Sequence, residues 1–321
     1  MNPRLFALIL ATCTLATSDV GAEPKPQPQF QFGNAVEIED LVLRPNGNIL
    51  FTTPSPSAEV WEIHPGTANG SAQRVVSLHG TSALGIAQVN PDVYAVSAGN
   101  LSTGMKGVEG SFAIHLVDMS QGRAKIKQSI AVPEAKFLSK LSKLGSSGTL
   151  LASDSQRGRI YTIDLAAAKT RTLLADVATM NGTTSFPNGV NGIQYSGDHI
   201  YYTNSAKGLF CRVGLANGNA AGKSEIVANI TDAVPLPDSF AIRSDGHAYI
   251  AGSNQVLHVG PGGKFDVAAG SARGKQLAGA TSVKFGVGEN LRTLFVSTSG
   301  HISKPATSSY EEPGKIVSVE V

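Results

Sequence analysis

The sequence predicts an all-β chain: a six-bladed β-propeller with four-stranded antiparallel blades around a central channel. Two observations carry this reading. An alternating strand, a tight turn and a second strand recur as IEDLVLRPNGNILFT from Ile38, GVNGIQYSGDHIYYTN from Gly189 and LPDSFAIRSDGHAYIA from Leu236. A short strand follows each time, as AEVWEIHP, GSFAIHLVD, GRIYTIDL, GLFCRVGL, NQVLHVGP and GKIVSVEV. A period of roughly 45–55 residues with three or four strands per unit is the signature of a propeller blade.

The first segment, residues 1–22, reads as an export signal. Arg4 supplies the positive start, LFALILATCTLA the apolar stretch, and Val20, Gly21 and Ala22 the small residues a signal peptidase requires. The apolar run is too short to span a bilayer. Residues 23–34, including EPKPQPQFQ, read as an extended polar leader, with the stretch around Phe30 placed as a strand closing the last blade. Residues 35–321 form a single propeller domain. Its innermost strands start near Glu39, Leu84, Ser139, Asn191, Asp238 and Thr281, and the Asn46-Gly47, Gly197-Asp198 and Asp245-Gly246 pairs supply tight reversals. Helical periodicity is nearly absent beyond the N-terminus, with a weak exception around Phe137–Leu144.

A chain of 321 residues with 41% hydrophobic content has ample material for a large core, and closed all-β folds run this long as one domain. Only 16% of residues are charged, the formal net charge is +2, and no basic stripe is present, which argues against a nucleic-acid partner. Removal of the signal takes Cys13 with it and leaves Cys211 in mid-strand, expected as a buried inert thiol with no disulfide partner. Sequons at Asn69, Asn100, Asn181 and Asn229 agree with passage through a eukaryotic secretory pathway, so the expected location is secreted or lumenal. No membrane association is expected after cleavage. There is no P-loop and no G-x-S-x-G elbow, and Gly286-Val287-Gly288 lacks the context of a dinucleotide site.

Propellers concentrate function at the mouth of the channel, where the inner strands begin. Glu39, Asn191 and Asp238 would converge there from three blades, with Ser139 and Lys140 from a fourth. Such oxygen donors suit a hard divalent cation, and Lys140 is an alternative means of compensating buried carboxylates. Leu84, Phe186, Phe240 and Tyr310 are candidate apolar walls, with Thr281 completing the ring. None of the histidines, 64, 79, 115, 199, 247, 258 and 301, has metal-pair spacing. His301 is the one placed near the mouth, because GHISKPATSSYEEPG is a long insertion; with residues 100–110 and TMNGTTSFPN it could form a lid. Trp61 is read as blade packing.

The phrases IEDLVL, VNGIQYSGDHIYYTNS and LPDSFAIRSDGHAYIA resemble the SMP-30/gluconolactonase-like six-bladed propellers over nearly the whole mature chain. The resemblance implies a divalent cation (Ca²⁺, Mg²⁺ or Zn²⁺) held by a Glu, an Asn and an Asp, matching Glu39, Asn191 and Asp238. A further family Asn falls at Ser139, where this chain has FLSKLSKL, a departure that speaks against metal-dependent lactone hydrolysis. Fungal secreted members that this chain resembles act as hetero-Diels–Alderases in secondary metabolism. That resemblance implies cofactor-free cycloaddition or cyclisation of a small apolar metabolite, with Lys140 or Asn191 donating a hydrogen bond to a substrate oxygen. The alternatives are a metal-dependent lactonase and a non-catalytic secreted binding propeller. The sequence leaves the oligomeric state open.

Overall fold

The computed structural model describes residues 25–54, 56–66, 71–102, 105–304, 307–310 and 312–321. The expected export signal and the Asn69 sequon lie outside the described residues, as does the side chain of Tyr310. Six four-stranded antiparallel sheets form the blades, as expected. Their inner strands are Leu41–Leu43, Ser82–Asn90, Leu138–Lys143, Val190–Ser196, Pro237–Ile242 and Ala280–Phe285. The recurrent short phrase is the third strand of each blade, Glu59–Ile63 in the first and Lys315–Glu320 in the last. The last sheet takes its outermost strand from Gln27–Gln31, which pairs antiparallel with Lys315–Glu320.

The turns follow from local chemistry. Gly47 and Gly246 both sit at φ +86°, the left-handed region that a side chain would disfavour. The weak helical periodicity around Phe137–Leu144 is corrected: Leu138–Lys143 is an inner strand, buried at every position except its last. An inner strand is covered on both faces, so alternation is lost and its period cannot be read. The α-helix of the described residues is a single turn, Val177–Met180, capped by the Asp176 side chain accepting from Ala178 N.

Six buried apolar clusters sit one at each blade interface. Leu50 and Val60 of blade one meet Ile86 and Val96 of blade two. At the closing interface, Ile38 and Phe51 of blade one pack on Phe295 and Ile316 of blade six. Each fully buried aliphatic or Phe side chain contributes ~1.5–3 kcal/mol, so every interface is held without a disulfide. Cys211 is a buried free thiol that burial pushes up to about 12, and it is therefore unreactive at neutral pH.

Near the channel mouth the inner strands slip register. The shifts lie between Ala83 and Ile86, Leu138 and Leu141, Val190 and Ile193, Pro237 and Phe240, and Ala280 and Ser282. A hydroxyl on the second strand fills the gap in the ladder. Ser97 Oγ accepts from Gly85 N at 2.9 Å, Ser153 Oγ from Lys140 N at 3.1 Å, and Thr203 Oγ1 from Gly192 N at 2.8 Å. The same three hydroxyls donate onward to the next blade, to Leu138 O at 3.1 Å, Asn191 O at 2.5 Å and Asp238 O at 2.5 Å. These bulges bend each strand at the mouth and re-aim its side chains.

Candidate active site at the channel mouth

The repeated hydrogen bond from an inner-strand amide to a second-strand hydroxyl puts Asp40, Gly85, Lys140 and Gly192 at one level of the channel. Glu39, Ser139 and Asn191 lie one residue nearer the mouth. Both strands flanking Lys140 therefore carry glycine, and they approach very closely. A Cβ at Gly85 would fall 2.8 Å from Lys140 Cα, and one at Gly192 would fall 2.6 Å from Asp238 O. The missing side chains let the inner strand of blade two approach that of blade three, and the inner strand of blade four approach that of blade five.

Lys140 is 1% exposed. Its Nζ donates to Glu39 O and Glu39 Oε1, both at 2.8 Å. It also lies 3.2 Å from Asp238 Oδ1, an ion pair that misses hydrogen-bond alignment and leaves that oxygen otherwise unpartnered. Burial by itself would lower the Lys140 pKa. The charges of Asp238, Glu39 and Asp40 and the Glu39 hydrogen bond reverse this, so the ammonium is held above the ordinary lysine range. For Asp238, burial raises the carboxyl pKa against the pull of Lys140, and the like charges of Glu39 and Asp40 push it further up. Asp40 is tied differently: it accepts from Leu41 N, Ser282 Oγ and Ile86 N at 2.9, 2.6 and 3.1 Å. Lys284 also reaches into this region, 3.5 Å from both Ser239 Oγ and Phe240 O, and burial lowers its pKa.

Over this charged floor lies a cavity of about 200 Å³. Glu39, Ser139, Asn191 and Asp238 form its polar side, with Ser155, Asn188 and Ser205, while Met105, Phe137, Phe186 and Leu236 supply apolar wall. Ser139 Oγ donates to Asn191 Oδ1 at 2.7 Å, and Asn191 Nδ2 donates to Ser205 Oγ at 3.0 Å. An amide NH₂ has two protons, so Asn191 retains one N–H for a ligand. A larger hollow, about 480 Å³, lies against Leu144, Thr162, Lys169 and Arg171 of blade three and the blade-four turn at Gly218. No comparable constellation of buried, paired charges faces it, so the chemistry points to the smaller cavity.

Several expected wall residues lie elsewhere. Leu84 is fully buried in the cluster between blades two and three, because the bulge turns it away from the channel. Phe240 packs edge-on against Phe210 at 5.1 Å, inside the interface of blades four and five. Thr281 is buried as a tie, donating to Ile38 O at 2.9 Å. His301 bonds Glu37 Oε1 through Nε2 at 2.8 Å, at the base of a ribbon formed by His301–Lys304 and Thr307–Tyr310. Tyr310 is the backbone partner of His301 in that ribbon. Of the remaining sequons, Asn229 is exposed, and Asn100 and Asn181 are half-buried.

Phe137, Ser155, Ser205 and Leu236 were not anticipated, and Met105 only as part of the expected lid segment 100–110. Ser155 and Ser205 carry a signal in retrospect, the matched phrases Asp154-Ser155-Gln156-Arg157-Gly158 and Asn204-Ser205-Ala206-Lys207-Gly208. Each serine donates to the next blade, to Val190 O at 2.6 Å and Pro237 O at 2.7 Å. Met105 carries no such signal. It is placed by a ribbon of Leu101–Ser102 and Lys106–Gly107 that Gln156 holds, donating to Met105 O at 3.0 Å and Asn188 Oδ1 at 2.8 Å.

The expected divalent ion can be tested against this donor set. Glu39 and Asp238 do converge, but on the Lys140 ammonium, with Asn191 beside them. Two cations cannot share that space, so the residues present do not fit a resident divalent ion. Among the described residues, no group of three or more His, Cys, Asp or Glu side chains is arranged to hold a metal.

The family model described as the SMP-30/Gluconolactonase/LRE-like region matches residues 144–300. A protein of Sarocladium schorii, provisionally named a hetero-Diels-Alderase, is 26% identical over 219 residues; the match covers 60% of this chain and 55% of that protein. The chain thus spans about half the length of that relative. A protein of a Phoma species with the same provisional name is 25% identical over 264 residues, covering 71% of this chain and 75% of its own. Among solved structures, a luciferin-regenerating enzyme superposes with a TM-score of 0.65 at 14% identity, covering 93% of this chain and 95% of its own. Regucalcin of Agrobacterium tumefaciens, a calcium-binding protein, gives 0.57 at 17% identity, covering 91% and 94%. Likeness at such low identity shows the fold alone. The chain is a six-bladed propeller that carries an SMP-30/gluconolactonase/LRE-like region and is similar to fungal proteins named as hetero-Diels-Alderases.

Proposed function

We propose that the protein is an enzyme of secondary metabolism that catalyses a hetero-Diels–Alder-type cycloaddition, or a related cyclisation, of a small apolar metabolite at the channel mouth. One observation carries this reading: a cavity with apolar walls lies over a polar floor whose buried lysine is already paired to carboxylates. The names of the two fungal relatives support it. Met105, Phe137, Phe186 and Leu236 would hold diene and alkene together, lowering the entropic part of the barrier. The remaining Asn191 N–H would polarise a substrate carbonyl or quinone-methide oxygen. Lys140, committed to Glu39 and Asp238, is a positioning residue in this scheme. No cofactor takes part. The N-terminal sequence supports action within or beyond the secretory pathway, and among the described residues no helix is long and apolar enough to cross a membrane.

The test supplies purified protein with a reactive ortho-quinone methide and an alkene and follows cycloadduct above the uncatalysed background. Asn191→Ala is expected to lower the rate by ~100-fold, the low end for removal of a preorganised donor. Phe186→Ala and Leu236→Ala should lower it by raising the substrate concentration needed for half-maximal rate. Background-rate product formation with the intact protein across a panel of such partners would overturn the reading. The second reading, lactone hydrolysis, draws on the convergence of Glu39, Asn191 and Asp238. Hydrolysis of an aryl or sugar lactone by the intact protein, abolished in Asp238→Ala, would establish it instead.

A further inference from the structure

We propose that the Lys140 ammonium is a tethered counter-cation filling a latent divalent-cation site, so that the residue at position 140 decides whether the channel mouth takes up a metal ion. The inference does not depend on the reaction proposed above, because it concerns which cation the carboxylates hold.

The geometry is that of a cation inside an oxygen cage. Glu39 O and Glu39 Oε1 lie 2.8 Å from the nitrogen, and Asp238 Oδ1 lies 3.2 Å from it. Asn191 and Ser139 join the same cavity from blades four and three, hydrogen-bonded to each other at 2.7 Å. Calcium sits about 2.3–2.6 Å from carboxylate and carbonyl oxygens, so the cage needs only a modest contraction to receive it. The donor types, carboxylate, backbone carbonyl, amide and hydroxyl, are those of a hard-cation site.

Charge supplies the driving force. Glu39, Asp40 and Asp238 place three carboxyl groups in this part of the channel, against Lys140 and Lys284. Asp40 is satisfied by its own three hydrogen bonds, so it does not release Lys140 from the other two. Removing the Lys140 amine takes away the cation that bridges Glu39 and Asp238 and leaves Lys284, held beside Ser239 Oγ and Phe240 O, against three carboxyl groups; an under-compensated buried charge draws in any cation able to reach it. The cavity on the Asp238 side provides the route. The amine itself arrives from blade three, and the residues at its level on the two flanking inner strands, Gly85 and Gly192, carry no side chain to fill the vacated position.

The experiment measures Ca²⁺ and Mg²⁺ binding by titration calorimetry and by thermal shift, after chelator treatment, against KCl of equal ionic strength. The proteins are the intact chain, Lys140→Ala, the volume-preserving Lys140→Gln, and Lys140→Ala combined with Asp238→Asn. The intact protein should show no saturable binding up to millimolar ion. A lysine-less variant should bind one ion at least ~100-fold more tightly, with a rise in melting temperature of several degrees, and the added Asp238→Asn should abolish both. If the lysine-less variants are unfolded without metal, recovery of the fold on adding Ca²⁺, and loss of that recovery with Asp238→Asn, supports the proposal equally. Tight stoichiometric Ca²⁺ or Mg²⁺ on the intact protein, lost in Asp238→Asn, would overturn it. So would lysine-less variants that take up no ion, whether they fold unaided or stay unfolded with Ca²⁺ present.

Discussion

Gly192 is set by its neighbours rather than by its own backbone angles. A Cβ there would stand 2.6 Å from Asp238 O and 2.9 Å from Ser239 Cα, both fixed backbone atoms of the next blade. Gly192→Ala must therefore push blade four from blade five at the level where Lys140 crosses the channel. The expected cost is about 1–3 kcal/mol, the range for overpacking a close contact. Chemical denaturation checks it, with a lower midpoint and an unchanged slope; an unaffected midpoint would mean the blades part freely. The same crowding explains which site residues could be read beforehand. Glu39, Asn191 and Asp238 share a phase in three repeats, so their convergence followed from the repeat alone. Leu84 and Phe240 share much of that pattern yet point into blade interfaces, because the bulges beside them move side chains off simple alternation. A bulge depends on a hydroxyl one strand away, such as Ser97 or Thr203, and the inner strand alone does not reveal it.

At the scale of elements, regular and inserted parts behave differently. The blades were legible because turn glycines and alternating strands recur, whereas the ribbon Leu101–Ser102 with Lys106–Gly107 comes from an insertion without a period. It lies between the second and third strands of blade two, yet its partner is blade three, through Gln156 and an Arg157–Glu109 ion pair. Gln156 Nε2 holds Met105 O and Asn188 Oδ1, and its Oε1 accepts from Gly107 N at 3.3 Å. These bonds are exposed or half-buried and worth ~0.5–1.5 kcal/mol each, too little to decide whether the whole ring folds. They do fix one wall of the cavity. Gln156→Ala should thus lower the melting temperature by only a few degrees, since each ~1 kcal/mol moves a domain of this size by about 2–4 °C. It should weaken binding of the apolar substrate severalfold, read as a higher KM with kcat less affected. A large fall in melting temperature with unchanged KM would place Gln156 in the scaffold instead.

The whole molecule is a ring, and a ring is only as secure as its seam. Here the first and last blades are joined by a shared strand, aromatic packing and several hydrogen bonds. Gln27–Gln31 completes the sixth sheet, and Phe30 and Phe32 pack at 5.7 and 5.9 Å on Phe51 of blade one. Gly314 N donates to Val36 O at 2.8 Å, Thr281 Oγ1 to Ile38 O at 2.9 Å, and Ser282 Oγ to Asp40 Oδ1 at 2.6 Å. The chain's single tryptophan, Trp61, stands edge-on to Phe32 at 5.4 Å and so reports on this seam by fluorescence. His301 ties the blade-six ribbon to Glu37 on the other side of it. The Glu37 hydrogen bond raises the His301 pKa above its ordinary 6.5, with burial opposing and the Glu37 charge adding. A folded-state value above the unfolded one means that the stabilisation is fully present below about pH 6.5 and is lost as pH climbs through the raised value. His301→Gln keeps a neutral hydrogen-bonding side chain but cannot take up the proton. The melting temperature of the parent, followed by Trp61 fluorescence, should therefore exceed that of the variant by most near pH 5.5. The gap should shrink through neutral pH and level off above pH 8, and a gap independent of pH would show that the charge on His301 contributes nothing to closing the ring.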